Sequence, residues 1–268
     1  MILMQDRNKL LERFRKLATN GTELPLYFSV PHASSVTMGQ FRGRLPLMTA
    51  WWNIIRELEK ARKRRTKNDY ATFLMTVKPK AREHIEDVAS TFMEAVAIES
   101  LAMHKEAIEG GVRKIFGHPN TVVVPDLFWK ETAQEALAAL KRIDKSVEKM
   151  IDRSTEDDYF GGLLEDNGRS FGRQVSDEAF LAQSRVARRV QGYSGATRYV
   201  WRTMKDVRVV GNPVGLYPVG NAEHGDHWSR EGKIFSWDAP PHDGHPGEAY
   251  GCRCQAVPLF GLNNPEIR

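Results

Sequence analysis

Both cysteines of this 268-residue chain lie near its C-terminal end, two positions apart, at Cys252 and Cys254. Residues i and i+2 of a strand face the same side, so both sulfurs can point at one metal ion. Zinc accepts tetrahedral sets of Cys and His, and His227 with either His242 or His245 can complete such a set. The sequence therefore indicates a candidate zinc site at His227, His245, Cys252 and Cys254.

Two interpretations of the cysteine pair stay open. Zinc sites more often use Cys-x2–4-Cys than a single-residue spacer. The alternative is that small, polarizable thiols pack beneath a hairpin while Arg253 points outward, with no cofactor at all. A cysteine nucleophile would need a base and an orienting group, and the spacing fixes no such arrangement. The His-x-Glu and Pro-Cys-x-x-Cys pieces of a zinc deaminase are absent from the sequence. We therefore assign no catalytic residue.

Short strands and tight turns must position these side chains. Aromatic and β-branched residues predict a strand over 199–204, and shorter strands are predicted at 234–235 and 255–257. Gly232 is expected to turn the chain with a positive φ before a strand, and Pro240-Pro241 to stiffen the start of the last loop. The expected aromatic core of this part consists of Trp201, Phe235, Trp237 and Tyr250.

The first two-thirds of the chain has a helical pattern. Apolar residues at i, i+3/i+4 spacing predict helices at about 4–18, 47–65, 80–109, 126–152 and 176–191. Gly110-Gly111 is expected to end the third helix, and the polar, glycine-rich stretch 153–175 is predicted to be a linker. The predicted fold class is α+β and mainly α. An extended helical region (1–152) is followed by a small, turn-rich C-terminal domain (176–268) with short antiparallel strands.

Composition limits the class of protein. Hydrophobic residues make up 41% and charged residues 27%, as in an ordinary globular protein. No apolar run reaches the roughly 18–20 residues of a membrane span. The N-terminus does not have the pattern of a secretory signal, and two cysteines do not make a disulfide scaffold, so we expect assembly in a reducing cytoplasm.

Basic charge is concentrated at the N-terminal end. Residues 1–82 contain 17 Lys and Arg against 6 Asp and Glu. The densest run consists of Lys60, Arg62, Lys63, Arg64, Arg65 and Lys67. Such a run can contact a polyanion such as DNA, or it can be the solvated last turn of a helix, where basic residues oppose the helix dipole.

The order of motifs near the C-terminus is more specific than any single piece. Trp201 leads through Asp206 to Arg208, His227-x-x-x-x-Gly232-Lys-x-Phe235 follows, and then come Pro240-Pro241 and Cys252-Arg253-Cys254. This order resembles the C-terminal domain of the Mu F-like phage head morphogenesis proteins. The resemblance covers roughly 184–258, less than a third of the chain, and residues 211–218 lengthen what is often a short link.

The resemblance implies a minor head protein of a tailed phage, a non-enzymatic structural component of the virion. Such a protein would act at the portal vertex or capsid interior during procapsid assembly, and in DNA packaging or ejection. The implied partners are the portal protein, the scaffold or major capsid protein, and packaged DNA through the basic N-terminal region. The implied location is the host cytoplasm during assembly and the capsid afterwards.

Two other classes of function remain open at this point. One is a metal-dependent hydrolase or nuclease that uses the Cys/His cluster. The other is a nucleic-acid-binding protein that uses the basic helices. Neither explains the ordered C-terminal motif, so we prefer the assembly interpretation.

Overall fold

The computed structural model describes residues 24–25, 49, 52–53, 56, 78–117, 121–156, 160–220, 225–249 and 251–260. The predicted helix at 4–18 and the basic run at 60–67 lie outside the described residues. Of the predicted helix at 47–65, only Thr49, Trp52, Asn53 and Arg56 are described, and all four are helical.

Three long helices and a small sheet make up most of the described chain. The helices are α1 (Lys78–Phe116), α2 (Asp126–Glu156) and α3 (Phe160–Tyr193). The strands are β1 (Leu24–Pro25), β2 (Arg198–Arg202), β3 (Ile234–Ser236) and β4 (Gln255–Phe260), with a 3-10 helix at Trp228–Arg230. The predicted class, α+β and mainly α with short antiparallel strands, is confirmed. None of the described helices is long and apolar enough to cross a membrane.

The sheet has the strand order β1-β4-β2-β3, with every neighbouring pair antiparallel. In its centre Val200 of β2 pairs with Val257 of β4 and with Ile234 of β3. Each of the three strands predicted from the sequence is present, but β2 ends at Arg202 rather than at 204, and β4 extends further than predicted, to Phe260. The short strand β1 was not predicted; its two residues pair with Leu259 and Phe260.

Helix α1 does not end where the sequence indicated. It passes through Gly110-Gly111 and ends at Phe116, so the predicted stop is wrong. A glycine in a helix costs about 1 kcal/mol relative to alanine. Ile108 and Val112 are fully buried on either side of the two glycines, and burying such a side chain contributes about 1.5–3 kcal/mol. Burial therefore outweighs the low helix propensity of glycine.

Helix α3 begins at Phe160, so residues 160–175, predicted to belong to a linker, are helical. Ser176, which we expected near the helix start, lies inside the helix and donates its hydroxyl to the Gly172 carbonyl at 2.8 Å. Phe171 and Val175 are completely buried. The glycine-rich composition indicated a loop, but these apolar residues lie four positions apart and give the segment a buried helical face.

The described residues fall into two compact units, each assembled from separate stretches of chain. One contains 98–129 and 183–260, together with β1, and its most buried large side chains include Phe128, Tyr199 and Trp201. The other contains 78–97 and 130–182, with Phe92, Ile143 and Phe171 buried. In the latter unit, Arg142 of α2 holds Glu178 of α3 with two hydrogen bonds of 2.7 Å each.

Candidate functional site

One histidine and the two cysteines meet in the interior of the C-terminal part. His227 immediately precedes the 3-10 helix, while Cys252 and Cys254 lie in the segment that leads into β4. The Nδ1 atom of His227 is 3.4 Å from the Sγ atom of Cys252 and 3.6 Å from that of Cys254. All three residues are buried, and their three candidate ligand atoms lie within 4.8 Å of one another. We call this group the His–Cys–Cys cluster.

A carboxylate fixes the other side of the His227 ring. Nε2 of His227 is 2.8 Å from Oδ2 of Asp243. Arg230 pairs with the same carboxylate through two contacts: Nη1 lies 2.9 Å from Oδ2, and Nη2 lies 2.7 Å from Oδ1. The Arg230 guanidinium in turn lies over the Trp201 ring, 4.8 Å from its centroid. Because a carboxylate accepts hydrogen bonds, Nε2 carries a proton and Nδ1 faces the two sulfurs.

The two thiols differ in acidity. A hydrogen bond from the Cys254 thiol holds the pKa of Cys252 well below its ordinary value, against the effect of burial, and His227 adds to this lowering. The same hydrogen bond, together with burial, raises the pKa of Cys254 well above its ordinary value. The contacts therefore favour the thiolate form at Cys252 and the thiol form at Cys254.

The hydrogen bond between His227 and Asp243 shifts the pKa of both groups. Burial lowers the pKa of His227, but the hydrogen bond to Cys252 and the one to Asp243 outweigh it, so the net shift is upward. Burial raises the pKa of Asp243, but the hydrogen bonds from Arg230 and His227 outweigh it, so the net shift is downward. Each shift favours the charged form of its group, and opposite charges that lie next to one another in the interior are paired.

The fourth predicted ligand, His245, does not join this group. Its Nδ1 atom is 3.0 Å from the Tyr199 hydroxyl, and its ring packs against that of Trp237 with centroids 4.8 Å apart. His242, the alternative fourth ligand, is exposed. The structure thus brings together three members of the predicted zinc set and places His245 in the aromatic core.

Residues from separate motif pieces contact one another. Arg253 was expected to point outward, but it is partly buried and pairs with Asp206, with Nη2 2.6 Å from Oδ2. The other oxygen of Asp206 accepts the backbone N–H of Arg208 at 2.9 Å, which closes a turn, while the Arg208 side chain is exposed. Asp206 therefore links the first motif piece to the last.

The turn residues behave as the sequence indicated. Gly232 has a φ of 75° just before β3, and its N–H donates to the Trp201 carbonyl at 2.8 Å. Pro240 is exposed, and the Pro241 carbonyl accepts the N–H of Gly244 at 2.9 Å. These contacts confirm the predicted positive φ at Gly232 and place the Pro-Pro pair at the start of a turn.

The aromatic core was predicted in part. Trp201 and Trp237 are buried, and Phe235 packs edge-on to Trp201 with centroids 5.6 Å apart. Tyr199, which we did not include, is completely buried and lies 4.3 Å from Trp237 between ring centroids. Its position two residues before Trp201 puts both on one face of β2, a signal that could have identified it. Tyr250 lies outside the described residues.

Asp243 and Arg230 were missed as members of the site. Asp243 precedes Gly244, and an Asp-Gly pair is typical of a turn, while Arg230 occupies an unspecified position of the His227 motif. They lie 13 residues apart in the chain, and no short spacing rule connects them. The polyanion contact predicted at Lys60, Arg62, Lys63, Arg64, Arg65 and Lys67 stays a prediction, since these residues are not described.

Comparisons of the chain with protein-family models, with curated proteins and with solved structures found no match. The resemblance to the Mu F-like proteins therefore depends on the order of the motifs.

Proposed function

We propose that this chain is a minor head protein of a tailed phage that acts as a structural component at the portal vertex or capsid interior during procapsid assembly. One observation carries the proposal: the separate motif pieces fold against one another. His227 meets both cysteines, Arg253 pairs with Asp206, and Trp201 packs on Phe235. These contacts support the proposal because they give each motif piece a role in holding the same folded domain together.

Burial of the reactive groups favours a structural role over catalysis. Cys252, His227 and Asp243 stand in the order of a nucleophile, a base and an orienting carboxylate. A nucleophile must come within about 3–3.5 Å of the atom it attacks. Yet Cys252 and His227 are buried, and the Asp243 side chain is 1% exposed. The alternative of a hydrolase or nuclease would require this interior to open to a substrate.

An ordered loop presents apolar side chains to solvent, which suits a protein that assembles with others. In the loop 207–220, Val214 is 85% and Val219 78% exposed, and Leu216 and Tyr217 are also exposed. Several exposed apolar side chains in one loop of a soluble protein are a candidate interaction site. We call these four residues the apolar loop patch and propose that the portal protein contacts it.

Internal hydrogen bonds hold the loop in shape. The N–H of Gly211 donates to the Tyr217 carbonyl at 2.8 Å, and that of Leu216 to the Val207 carbonyl at 2.6 Å. Asn212 is buried beneath the loop and donates its side-chain amide to the Asp206 carbonyl at 3.0 Å. A loop ordered before binding loses less conformational entropy when a partner binds.

The basic segment at 1–82 is the proposed contact to packaged DNA or to an acidic face of a head protein. Phosphate contacts of this kind are independent of sequence and weaken steeply with salt. If portal binding is unchanged after deletion of residues 1–82, the basic segment does not contact the portal, and DNA remains its proposed partner. Salt-sensitive DNA affinity without any capsid partner would instead favour a nucleic-acid-binding protein.

The portal contact can be tested with the purified chain and the portal protein encoded by the same phage. We expect saturable binding that the double substitution Val214→Glu/Leu216→Glu weakens at least about 10-fold, which corresponds to about 1.4 kcal/mol. Val123→Glu is the matched control, because Val123 is 73% exposed elsewhere in the same unit. Equal binding by the loop variant would exclude the patch, and no binding by the unchanged chain would contradict a portal contact.

A further inference from the structure

We propose that His227, Cys252 and Cys254 bind a zinc ion that stabilises the C-terminal part of the chain, with Asp243 as the residue that orients His227. This inference does not depend on the assembly proposal. It rests on the spacing of the three ligand atoms, on the hydrogen bonds around them and on the charge balance of the buried group.

The spacing of the ligand atoms fits tetrahedral zinc. Zinc binds thiolate sulfur at about 2.3 Å and imidazole nitrogen at about 2.0–2.1 Å, and tetrahedral angles then separate sulfur and nitrogen by roughly 3.5 Å. The two distances from His227 Nδ1 to the sulfurs are 3.4 and 3.6 Å. Two sulfurs on one tetrahedral ion would lie roughly 3.8 Å apart, which the 4.8 Å spread of the cluster accommodates. The atoms therefore need little movement to share an ion.

The hydrogen bonds around the cluster are those of a metal site. A histidine that binds a metal usually donates its other ring N–H to a carboxylate or carbonyl, which fixes the ring and its tautomer. Nε2 of His227 has this relation to Asp243, and Arg230 holds Asp243 in place. The backbone N–H of Gly247 donates to Cys252 Sγ at 3.3 Å, which suits a thiolate sulfur.

Charge balance favours a divalent ion in this interior. Two thiolates and one neutral imidazole carry two negative charges, which one Zn²⁺ neutralises. Metal binding displaces any proton that the three ligand atoms carry, while the N–H at Nε2 of His227 continues to donate to Asp243. A buried, neutral centre avoids the several kcal/mol that an unpaired interior charge costs.

The ligand types select the metal. Thiolates and imidazole favour zinc over the oxygen-seeking Mg²⁺ and Ca²⁺. Three protein ligands leave one position of the tetrahedron for a water molecule or a further ligand. His245 is not one of the proposed ligands, because its Nδ1 atom contacts the Tyr199 hydroxyl.

The metal content of the full chain, purified without chelators and supplied with zinc, tests the proposal. We expect one zinc per chain by elemental analysis and its loss in Cys254→Ser. Asp243→Asn should weaken zinc binding about 10- to 100-fold, as is usual for residues that orient a ligand. His242→Ala is the matched control, because His242 is exposed near the site; this variant should keep its zinc.

Cobalt substitution gives a readout that does not depend on whether a variant folds. Co²⁺ in the unchanged chain should show the sulfur-to-cobalt charge-transfer band of thiolate ligation and the visible bands of tetrahedral geometry. Absence of bound zinc together with absence of the charge-transfer band would overturn the proposal and leave plain packing of two thiols. Loss of zinc in His242→Ala, or its retention in Cys254→Ser, would show that the ligand set is wrong.

Discussion

Gly232 and Gly247 both have a positive φ in the C-terminal turns, and of these two only Gly247 lies against another side chain. Gly247 has a φ of 86°, and a Cβ atom placed there would lie 2.7 Å from the Cβ of Ser184. Gly232 has a φ of 75° and no atom within 4 Å of the same position. Both positions strain an L-residue, but only Gly247 also lacks space.

We predict that Gly247→Ala lowers the free energy of unfolding by about 3 kcal/mol and Gly232→Ala by about 1 kcal/mol. The backbone strain is common to both, whereas the overlap with Ser184 adds about 1–3 kcal/mol at Gly247 alone. Urea unfolding of the two variants beside the unchanged chain measures the difference. Equal losses would mean that Ser184 moves away without cost.

Residue types and spacing identified the members of the His–Cys–Cys cluster better than the residues that contact it. The candidate set taken from residue types and spacing included Cys252, Cys254 and His227, and these three lie together in the structure. Asp243 was not assigned to the site because its role depends on the turn that carries it to Nε2 of His227, 16 residues away in the chain. His245 belonged to the same candidate set but lies apart from the other three and bonds to Tyr199, a difference that spacing along the chain does not reveal.

Helix α1 contains a histidine in an apolar setting. His104 is buried, and its Nε2 atom has no hydrogen-bond partner among the described residues. Burial disfavours the charged form and lowers the pKa of His104 to about 4 from an ordinary 6.5. The folded chain therefore keeps this ring neutral over a pH range in which the unfolded chain protonates it.

This difference predicts a loss of stability in mild acid. Between pH 6.5 and 4 the unfolded state binds more protons at His104 than the folded state, so its contribution is intact above pH 6.5 and is lost as the pH falls toward 4. The full loss is about 3 kcal/mol. The free energy of unfolding is measured at neutral pH and near pH 4.5. It should fall less between these two pH values in His104→Gln than in the unchanged chain. An unchanged slope in that variant would assign the acid sensitivity to other groups.

The extent of the helices was harder to predict than their existence. Apolar periodicity located α1 and α2, and the predicted start of α2 at Asp126 is confirmed. The end of α1 and the start of α3 depend on burial of Val112 and Phe171, which competes with glycine propensity by amounts of similar size. A single sequence does not reveal which of two comparable terms is larger.

At the scale of the whole molecule, two features enter the proposed function. The basic charge is concentrated in residues 1–82, while the apolar loop patch lies in the unit that contains the buried motif. In the proposed function, the first feature contacts DNA or an acidic partner and the second contacts the portal. The His–Cys–Cys cluster then maintains the domain that presents the patch.

If the proposed function is correct, the chain is a component of the heads of a tailed phage, and its quantitation in purified heads is the most direct test. Mass spectrometry with labelled standard peptides would give its copy number relative to the portal protein in procapsids and in mature heads. The proposal predicts a low, fixed copy number in procapsids that does not vary between preparations. Absence of the chain from heads at every stage of assembly would contradict the proposal.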